Sequence, residues 1–408
     1  MHASTGHGSL RHRLPYPSER TLSCAFSLTE AQEPRHRPVD AELPRSPLDP
    51  LEVMFNNIAF RDYTGRPRII LAEKPVEKSL NYIEFLARIL YELMRTYWRA
   101  PMPFQTMFVS QRLTEYQLAN MRPGMGIYIV DLDALHEKTS DEATFARFTR
   151  TINDRLHETF SQWIGYLVLY GRDDSLSLIK KLWEPRVIAR RVVYSSLQPY
   201  IEIRLGAHRE QLLRLISLFY GEVPGLEEAD TISQAVARAE DAYFTNLELV
   251  ANDPFISLYN RPAVDEEEAR QDTSFIHFAL KSAAIKYLMD TGIDPSALSI
   301  ESIVANVPID IRVERGWGSS IAVEIETLYG VGNPVSRLSM VIKERVSLGY
   351  NVWIVLPPTQ ALIFAPYIRG LMRHFAERVE FYTFDTTKGS LSSLAEYYER
   401  IDEALKEL

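Results

Sequence analysis

Four carboxylates in the C-terminal third of the chain have the residue types and spacing of a metal-binding site. They are Glu301, Asp310, Glu324 and Glu326, and they interrupt or end short apolar runs that predict buried strands. Burying an ionised carboxylate costs free energy unless a cation or a hydrogen-bond donor compensates for it. Because alternate residues of a strand share a face, Glu324 and Glu326 should project together, and a neighbouring strand can bring Asp310 beside them.

Carboxylates that share one face repel each other and take up protons unless a cation lies between them. Their oxygens suit Mg²⁺ or Mn²⁺, which can activate a bound water for attack on a phosphodiester. We therefore predict that Glu301, Asp310 and Glu324 hold Mg²⁺ or Mn²⁺. The alternative is a solvated outer strand face, which fits Glu314 well but fits Glu324 and Glu326 less well.

The elements around these residues follow one another as helix, three strands, helix, strand. The patterns predict a helix over Asp272–Met289, strands over Ser299–Val304, Ile309–Glu314 and Ile321–Glu326, a helix over Val335–Leu348 and a strand over Val352–Leu356. A helix over Ala361–Phe375, a strand over Val379–Phe384 and a helix over Ser392–Leu405 complete the predicted module.

This order, with the segments Pro-Ile-Asp310 and Glu324-Ile-Glu326, resembles the PD-(D/E)XK nuclease superfamily over residues 271–384. The resemblance implies a restriction-endonuclease-like α/β domain that hydrolyses DNA, with Asp310, Glu324 and Glu326 as catalytic residues and Glu301 as the upstream glutamate of many members.

The chain departs from the family at Glu326, which stands in place of the usual lysine. Some restriction endonucleases of the superfamily carry glutamate there, so the resemblance still implies activity. The role of the lysine must then pass to a metal or to another cation. Lys343, on the helix after the strands, is the catalytic candidate that we choose; Arg337, and Lys281 with His277 on the helix before the strands, are further candidates.

The first half of the chain alternates short apolar runs with helical periodicity, which indicates an α/β fold with a doubly wound, mostly parallel sheet. Strands are predicted over Arg68–Ala72, Thr106–Ser110, Gly126–Leu132, Ile164–Tyr170 and Tyr200–Leu205, and helices over Leu80–Trp98, Asp141–Phe160, Leu176–Trp183, Glu210–Tyr220 and Leu226–Ala251. We predict a disordered tail over residues 1–50, a Rossmann-like or degenerate P-loop-like domain over 51–225, a helical linker over 226–270 and the nuclease-like domain over 271–408.

A second candidate site follows the first predicted strand. Lys78 and Ser79 stand where a phosphate-binding loop would end, and Asp131 ends an apolar run as a magnesium-binding aspartate would. This resembles a degenerate P-loop domain, although both glycines of that motif are absent and the loop needs them to aim N–H groups at phosphate. A Rossmann-like sensor of a nucleotide second messenger, and an ordinary doubly wound domain in which Asp131 and Asp133 cap the next turn, are the alternatives.

The bulk composition sets the remaining expectations. The net charge of −9 excludes a generally basic surface, but DNA binding needs only a local cationic face. The single cysteine, Cys24, excludes a disulfide framework within the chain and a cysteine-based zinc site, and favours a reducing, cytoplasmic setting. No apolar run is long enough to cross a bilayer, so we expect no membrane partner.

These patterns together predict a magnesium-dependent deoxyribonuclease with an N-terminal regulatory or recruiting domain. A homodimer is expected if two such sites cut both strands of DNA. Two alternatives stay open at this point. One is a catalytically inactive scaffold with a nuclease fold, and the other is a nucleotide-sensing regulator in which the first domain binds the ligand.

Overall fold

A computed structural model of the chain describes residues 48–61, 68–97, 106–109, 125–134, 164–183, 186–188, 191–193, 200–260, 272–314 and 320–406. These residues belong to one compact unit, Pro47–Leu408. The predicted tail up to residue 47, the predicted helix Asp141–Phe160 and residues 261–270 of the predicted linker lie outside the described residues. The domain boundaries near residues 50, 225 and 270 stay predictions.

The first sheet has five strands, and all of its strand pairs are parallel. The strands are β1 (Arg68–Glu73), β2 (Thr106–Val109), β3 (Met125–Asp131), β4 (Ile164–Gly171) and, after a short β5 (Arg186–Ile188) and β6 (Arg191–Val193) hairpin, β7 (Tyr200–Ile203). Their order across the sheet is β2-β3-β4-β1-β7. The nearly continuous apolar runs of β1 and β4 are typical of strands that are covered on both faces.

The second sheet has six strands in the order β13-β12-β11-β10-β9-β8. The strands are β8 (Leu298–Val304), β9 (Val307–Val313), β10 (Ile321–Ile325), β11 (Asn351–Leu356), β12 (Val379–Asp385) and β13 (Ser390–Ser393). Strands β8, β9 and β10 form an antiparallel meander, whereas β10, β11 and β12 are parallel and β13 closes the edge antiparallel to β12. The prediction of an α/β fold is confirmed.

Eleven helices are described, and we number them in chain order. They are α1 (Pro50–Phe55), α2 (Ile83–Tyr97), α3 (Asp173–Trp183), α4 (Arg209–Phe219), α5 (Ile232–Ala251), α6 (Pro254–Tyr259), α7 (Asp272–Asp290), α8 (Pro334–Ser347), α9 (Pro358–Ile363), α10 (Ala365–His374) and α11 (Leu394–Lys406). None of these helices combines the length and the apolar character that a membrane span needs.

Helices pack the two sheets onto one hydrophobic cluster. Helix α2 contacts α9, helix α4 contacts α11, and helix α5 contacts α7. The cluster includes Ile70 and Val168 from the first sheet and Val323 and Ile354 from the second. The carboxylate-bearing strands β9 and β10 are therefore held against the rest of the chain by a continuous apolar core.

Several predicted boundaries differ from the structure at prolines and caps. The predicted helix Ala361–Phe375 is two helices, α9 and α10, which meet at Phe364. Pro358 begins α9 at its first turn, where a missing N–H costs nothing. The predicted helix Leu226–Ala251 starts later, at Ile232, because Thr231 caps its N-terminus by accepting a hydrogen bond from the N–H of Gln234.

Candidate functional site

Three of the four predicted carboxylates line one pocket at the end of β10. The antiparallel register pairs Val323 with Ile311, so one step further along the strands Glu324 stands opposite Asp310. The N–H of Ile325 donates a hydrogen bond to Oδ2 of Asp310 at 2.7 Å. Glu326 follows two residues after Glu324 and so lies on the same strand face. Together they border a pocket of about 660 Å³, which we call the carboxylate pocket.

Two arginines from α8 pair with Glu324 of β10 and with Glu326, which directly follows that strand. Nε and Nη2 of Arg345 donate to Oε1 and Oε2 of Glu324 at 2.8 and 3.2 Å. Nε and Nη2 of Arg337 donate to Oε2 and Oε1 of Glu326 at 3.2 and 3.0 Å. The arginines are eight residues apart, which is about two helical turns, so both reach the same side of α8. Each pair has the two-point geometry of a strong charge-assisted interaction.

The surroundings of the three carboxyl groups differ, and so do their pKa values. Burial raises the pKa of Glu324 to about 8, against the opposing effect of Arg345. Burial also raises the pKa of Glu326, although Arg337 opposes the shift. Burial acts in the same direction on Asp310, but hydrogen bonding and charge from His277 outweigh it, and the pKa of Asp310 is lowered. Asp310 is therefore the carboxylate that is most firmly ionised at neutral pH.

Glu301 does not border the carboxylate pocket, although it stands close to it. The ladder between β8 and β9 pairs Ile300 with Ile311 and Ser302 with Ile309, which leaves Glu301 opposite Asp310. Its φ of 50° lies in the left-handed region, which interrupts the strand at this residue. Its carboxylate pairs instead with the ammonium group of Lys281, which is 3% exposed.

The cationic side chains that border the carboxylate pocket do not include Lys343, which the sequence had favoured. Lys343 is exposed on α8 and is absent from the residues that border the pocket, because it lies two positions before Arg345 and so on another side of the helix. Arg337, which was a secondary candidate, borders the pocket with a side chain that is 40% exposed. Arg345 was missed altogether. The signal that could have revealed it is the eight-residue spacing from Arg337 on the crossover helix that follows the acidic strand.

The second candidate site shows no phosphate-binding loop. Lys78 is exposed in a short 3-10 turn, and the hydroxyl of Ser79 donates to the carboxylate of Glu77. At the carboxyl edge of the parallel sheet, Nζ of Lys74 lies 2.9 Å from Oδ2 of Asp131, and Oδ1 of Asp131 accepts from two N–H groups of the following turn at 3.1 Å. The turn-capping alternative therefore describes Asp131.

The donor atoms of the carboxylate pocket suit a hard divalent cation in their chemistry, since Asp310, Glu324 and Glu326 all contribute carboxylate oxygens. The two glutamates, however, have their oxygens engaged by guanidinium groups. In the described parts of the chain, no group of three or more His, Cys, Asp or Glu side chains is arranged to hold a metal ion. Only Asp310, whose side chain is 25% exposed and pairs at 3.5 Å with Nε2 of His277, faces the pocket without an arginine.

The residues that border the carboxylate pocket determine which chemistry it can perform. It combines three carboxylates from adjacent strands, two arginines from the crossover helix and one histidine from α7. Comparison of the chain with protein-family models, with curated proteins and with solved structures finds no match.

Proposed function

We propose that this protein is a metal-dependent nuclease that hydrolyses phosphodiester bonds in DNA, with the carboxylate pocket as its active site. The observation that carries the proposal is the meeting of Asp310 with Glu324 and Glu326 in one pocket of about 660 Å³. The arrangement of α7, the three-stranded meander, α8 and β11 supports it, because it follows the order that resembles the PD-(D/E)XK superfamily.

The charge of the pocket explains why a divalent cation would be needed. Above pH 8, where Glu324 is ionised, three carboxylates face two guanidinium groups, which leaves one net negative charge that repels a phosphodiester. One Mg²⁺ or Mn²⁺ ion reverses that sign, and when bound it lowers the pKa of a water and stabilises charge on phosphate oxygens. Asp310, whose lowered pKa keeps it ionised, would be the first ligand of such an ion. Glu324 would be the second ligand once one of its carboxylate oxygens is released from the hydrogen bond with Arg345.

Arg337 takes the place of the family's lysine in this proposal. Its guanidinium group holds Glu326 at the lysine position, and its partial exposure lets it also reach a phosphate oxygen that enters the pocket. A guanidinium group can bind a phosphate through two N–H groups at once, which a lysine cannot do. His277 supports the site by keeping Asp310 ionised and oriented.

The test is plasmid nicking in Mg²⁺ or Mn²⁺ together with calorimetric titration of Mn²⁺. Asp310→Ala should abolish cleavage and weaken Mn²⁺ binding by at least about 100-fold, since mutations in the shells of a metal site commonly cost 10- to 100-fold in metal affinity. The matched control is Glu314→Gln, an exposed carboxylate just beyond the end of β9, which should change neither quantity. Cleavage that needs no metal, or that survives Asp310→Ala, would refute the proposal.

A second function, a non-catalytic scaffold with this fold, is favoured by one specific observation. Arg345 and Arg337 occupy both oxygens of Glu324 and Glu326, as they would in a site whose charges serve only structure. Under that function the wild type binds DNA without binding Mn²⁺, and Asp310→Ala leaves DNA binding unchanged. The same titration therefore separates the two functions, because it reads metal binding without requiring turnover.

A further inference from the structure

A second pocket, of about 310 Å³, shares Tyr329 of the loop that follows β10 with the carboxylate pocket. Helices α2, α5 and α7 contribute most of its wall, and seven of its thirteen lining residues are aromatic, so we call it the aromatic pocket. Its volume is at the lower end of the range for small-molecule sites. The aromatic walls favour a planar occupant, because stacked and edge-to-face ring contacts add to simple burial.

The charged groups of the aromatic pocket cancel one another. Nη2 of Arg88 lies 2.7 Å from Oε2 of Glu240, and Nη1 of Arg95 lies 3.4 Å from Oε1 of Glu92. Two positive and two negative groups leave no net charge to attract a phosphate or a carboxylate. The occupant that matches this electrostatic balance is uncharged overall but has polar edges that can meet the paired charges.

One hydroxyl group in the aromatic pocket lacks the partner that its burial demands. Tyr243 is 2% exposed and lines the pocket, yet its hydroxyl has no hydrogen-bond partner among the described residues. Buried hydroxyl groups are nearly always hydrogen-bonded, because burial without a partner carries the full desolvation cost. A ligand with a ring nitrogen or a carbonyl oxygen at its edge would satisfy this group.

We propose that the aromatic pocket binds a small, planar, uncharged heteroaromatic molecule of the nucleobase or nucleoside class. Stacking between aromatic side chains supplies the contact area, and the Tyr243 hydroxyl supplies a directional hydrogen bond. The proposal does not depend on whether the carboxylate pocket hydrolyses DNA.

The position of Tyr329 links this ligand to the carboxylate pocket. Tyr329 borders both pockets, its hydroxyl donates to Glu92 at 3.2 Å, and its ring lies 3.9 Å below the guanidinium carbon of Arg95. The N–H groups of Gly330 and Gly332 donate to the carbonyl oxygens at the end of α2, at 2.9 and 3.2 Å. A ligand that packs against Tyr329 therefore tightens the loop that joins the glutamates of β10 to the arginines of α8.

The experiment is calorimetric titration of the full chain with adenosine, guanosine, cytidine and uridine, with AMP as the charged comparison. We expect at least one nucleoside to bind, and adenosine to bind more tightly than AMP. Tyr243→Phe should weaken that binding about 10-fold, the effect of losing one hydrogen bond, while leaving the thermal midpoint unchanged or higher because an unpaired hydroxyl is removed. The matched control is Tyr259→Phe, which lies outside the pocket and should change neither value.

Two outcomes would overturn the assignment of the pocket. They are the absence of binding by every nucleoside below about 1 mM, and binding that Tyr243→Phe leaves unchanged. Hydrogen exchange tests the link through Tyr329 separately. Saturating nucleoside should slow exchange at the Gly330 and Gly332 amides, and exchange unchanged at both amides would overturn the link.

Discussion

The ion pair between Arg345 and Glu324 gives the most demanding test of the site's geometry. Both side chains are almost fully buried, each 5% exposed, and the arginine also donates to the carbonyl oxygen of Pro308 at 2.7 Å. Arg345→Met keeps an apolar side chain in that space and removes all four hydrogen bonds of the arginine, two to Glu324, one to Pro308 and one to the exposed carboxylate of Glu344. Above pH 8, where Glu324 is ionised, removing its partner costs about 3–5 kcal/mol, because the carboxylate is left buried without compensation.

The size of that cost should depend on pH in a defined direction. The pKa of Glu324 in the folded protein is about 8, above its ordinary value. Between that ordinary value and pH 8, Glu324 binds a proton in the folded state but not in the unfolded state, and this proton uptake stabilises the folded state. The stabilisation from proton uptake is present at low pH and is lost as the pH rises through 8. Without Arg345 the pKa of Glu324 rises further, so the penalty of the variant should grow by up to about 1.4 kcal/mol per pH unit above 8.

The assay is urea unfolding at pH 7, 8 and 9 for wild type, Arg345→Met, Glu324→Gln and the double variant. The double variant should lose the pH dependence and retain the cost of the unpaired Pro308 carbonyl, about 1–3 kcal/mol, and the smaller cost of the lost pair with the exposed Glu344, under about 1 kcal/mol. The control Arg312→Met removes a partly exposed partner of Glu314 and should cost under about 1 kcal/mol at every pH. A penalty that does not change between pH 7 and 9, or single costs that add in the double variant, would refute the reasoning.

Further predictions concern the positions that hold the fold around the two pockets. Gly171→Ala should lower the free energy of unfolding by about 1–3 kcal/mol, because the new Cβ would lie 3.0 Å from Cβ of Leu132. Gly370→Ala should raise the free energy of unfolding by about 0.5–1 kcal/mol, because this position of α10 has open space around it. Thermal unfolding checks both predictions. Burial opposes the ionisation of Asp133, but hydrogen bonds from a main-chain N–H and a serine hydroxyl hold its pKa below the usual value, so its stabilisation is present above pH 4 and lost as the pH falls further. Asp133→Asn should therefore cost more at pH 7 than at pH 3, and an equal cost at both would contradict the shift. Thr231→Ala should cost about 1 kcal/mol through the lost cap of α5, measured by the urea midpoint at constant m-value, while Thr231→Asp should not.

The strands that carry the carboxylates were predictable because the signal is local. Alternation of apolar and acidic residues places Glu324 and Glu326 on one strand face, and antiparallel pairing puts β9 beside β10. The order of strands in the parallel sheet was not predictable in the same way. Strand β1 lies between β4 and β7, far from its sequence neighbour β2, and that arrangement depends on crossovers whose direction no local pattern encodes.

The roles of Glu301 and Arg345 show where sequence reasoning about the site stopped. Spacing and the resemblance to the PD-(D/E)XK superfamily grouped Glu301 with the other carboxylates, but the residue has a left-handed backbone conformation and its side chain pairs with the buried Lys281. Arg345 is 21 positions from Glu324, and only the packing of α8 on the sheet brings them together. Strand periodicity can predict which face of a strand an acidic residue occupies. The residue that carries the opposite charge lies on a helix, and no local pattern in the sequence shows how that helix is rotated about its axis.

The cost of the carboxylate pocket is itself an argument about its purpose. Replacing a buried ion pair by well-packed apolar residues is often neutral or stabilising. A contribution to stability therefore does not by itself explain the two ion pairs at Glu324 and Glu326. Glu324 lies in β10 and Glu326 directly follows it, both arginines lie in α8, and the loop between the acids and the arginines donates two N–H groups to the end of α2 beside the aromatic pocket. A single connection thus sets the distance between the acids and their counter-charges. A movement of that loop would change this distance, and under the proposed metal-dependent function it would free carboxylate oxygens of Glu324 and Glu326 from Arg345 and Arg337.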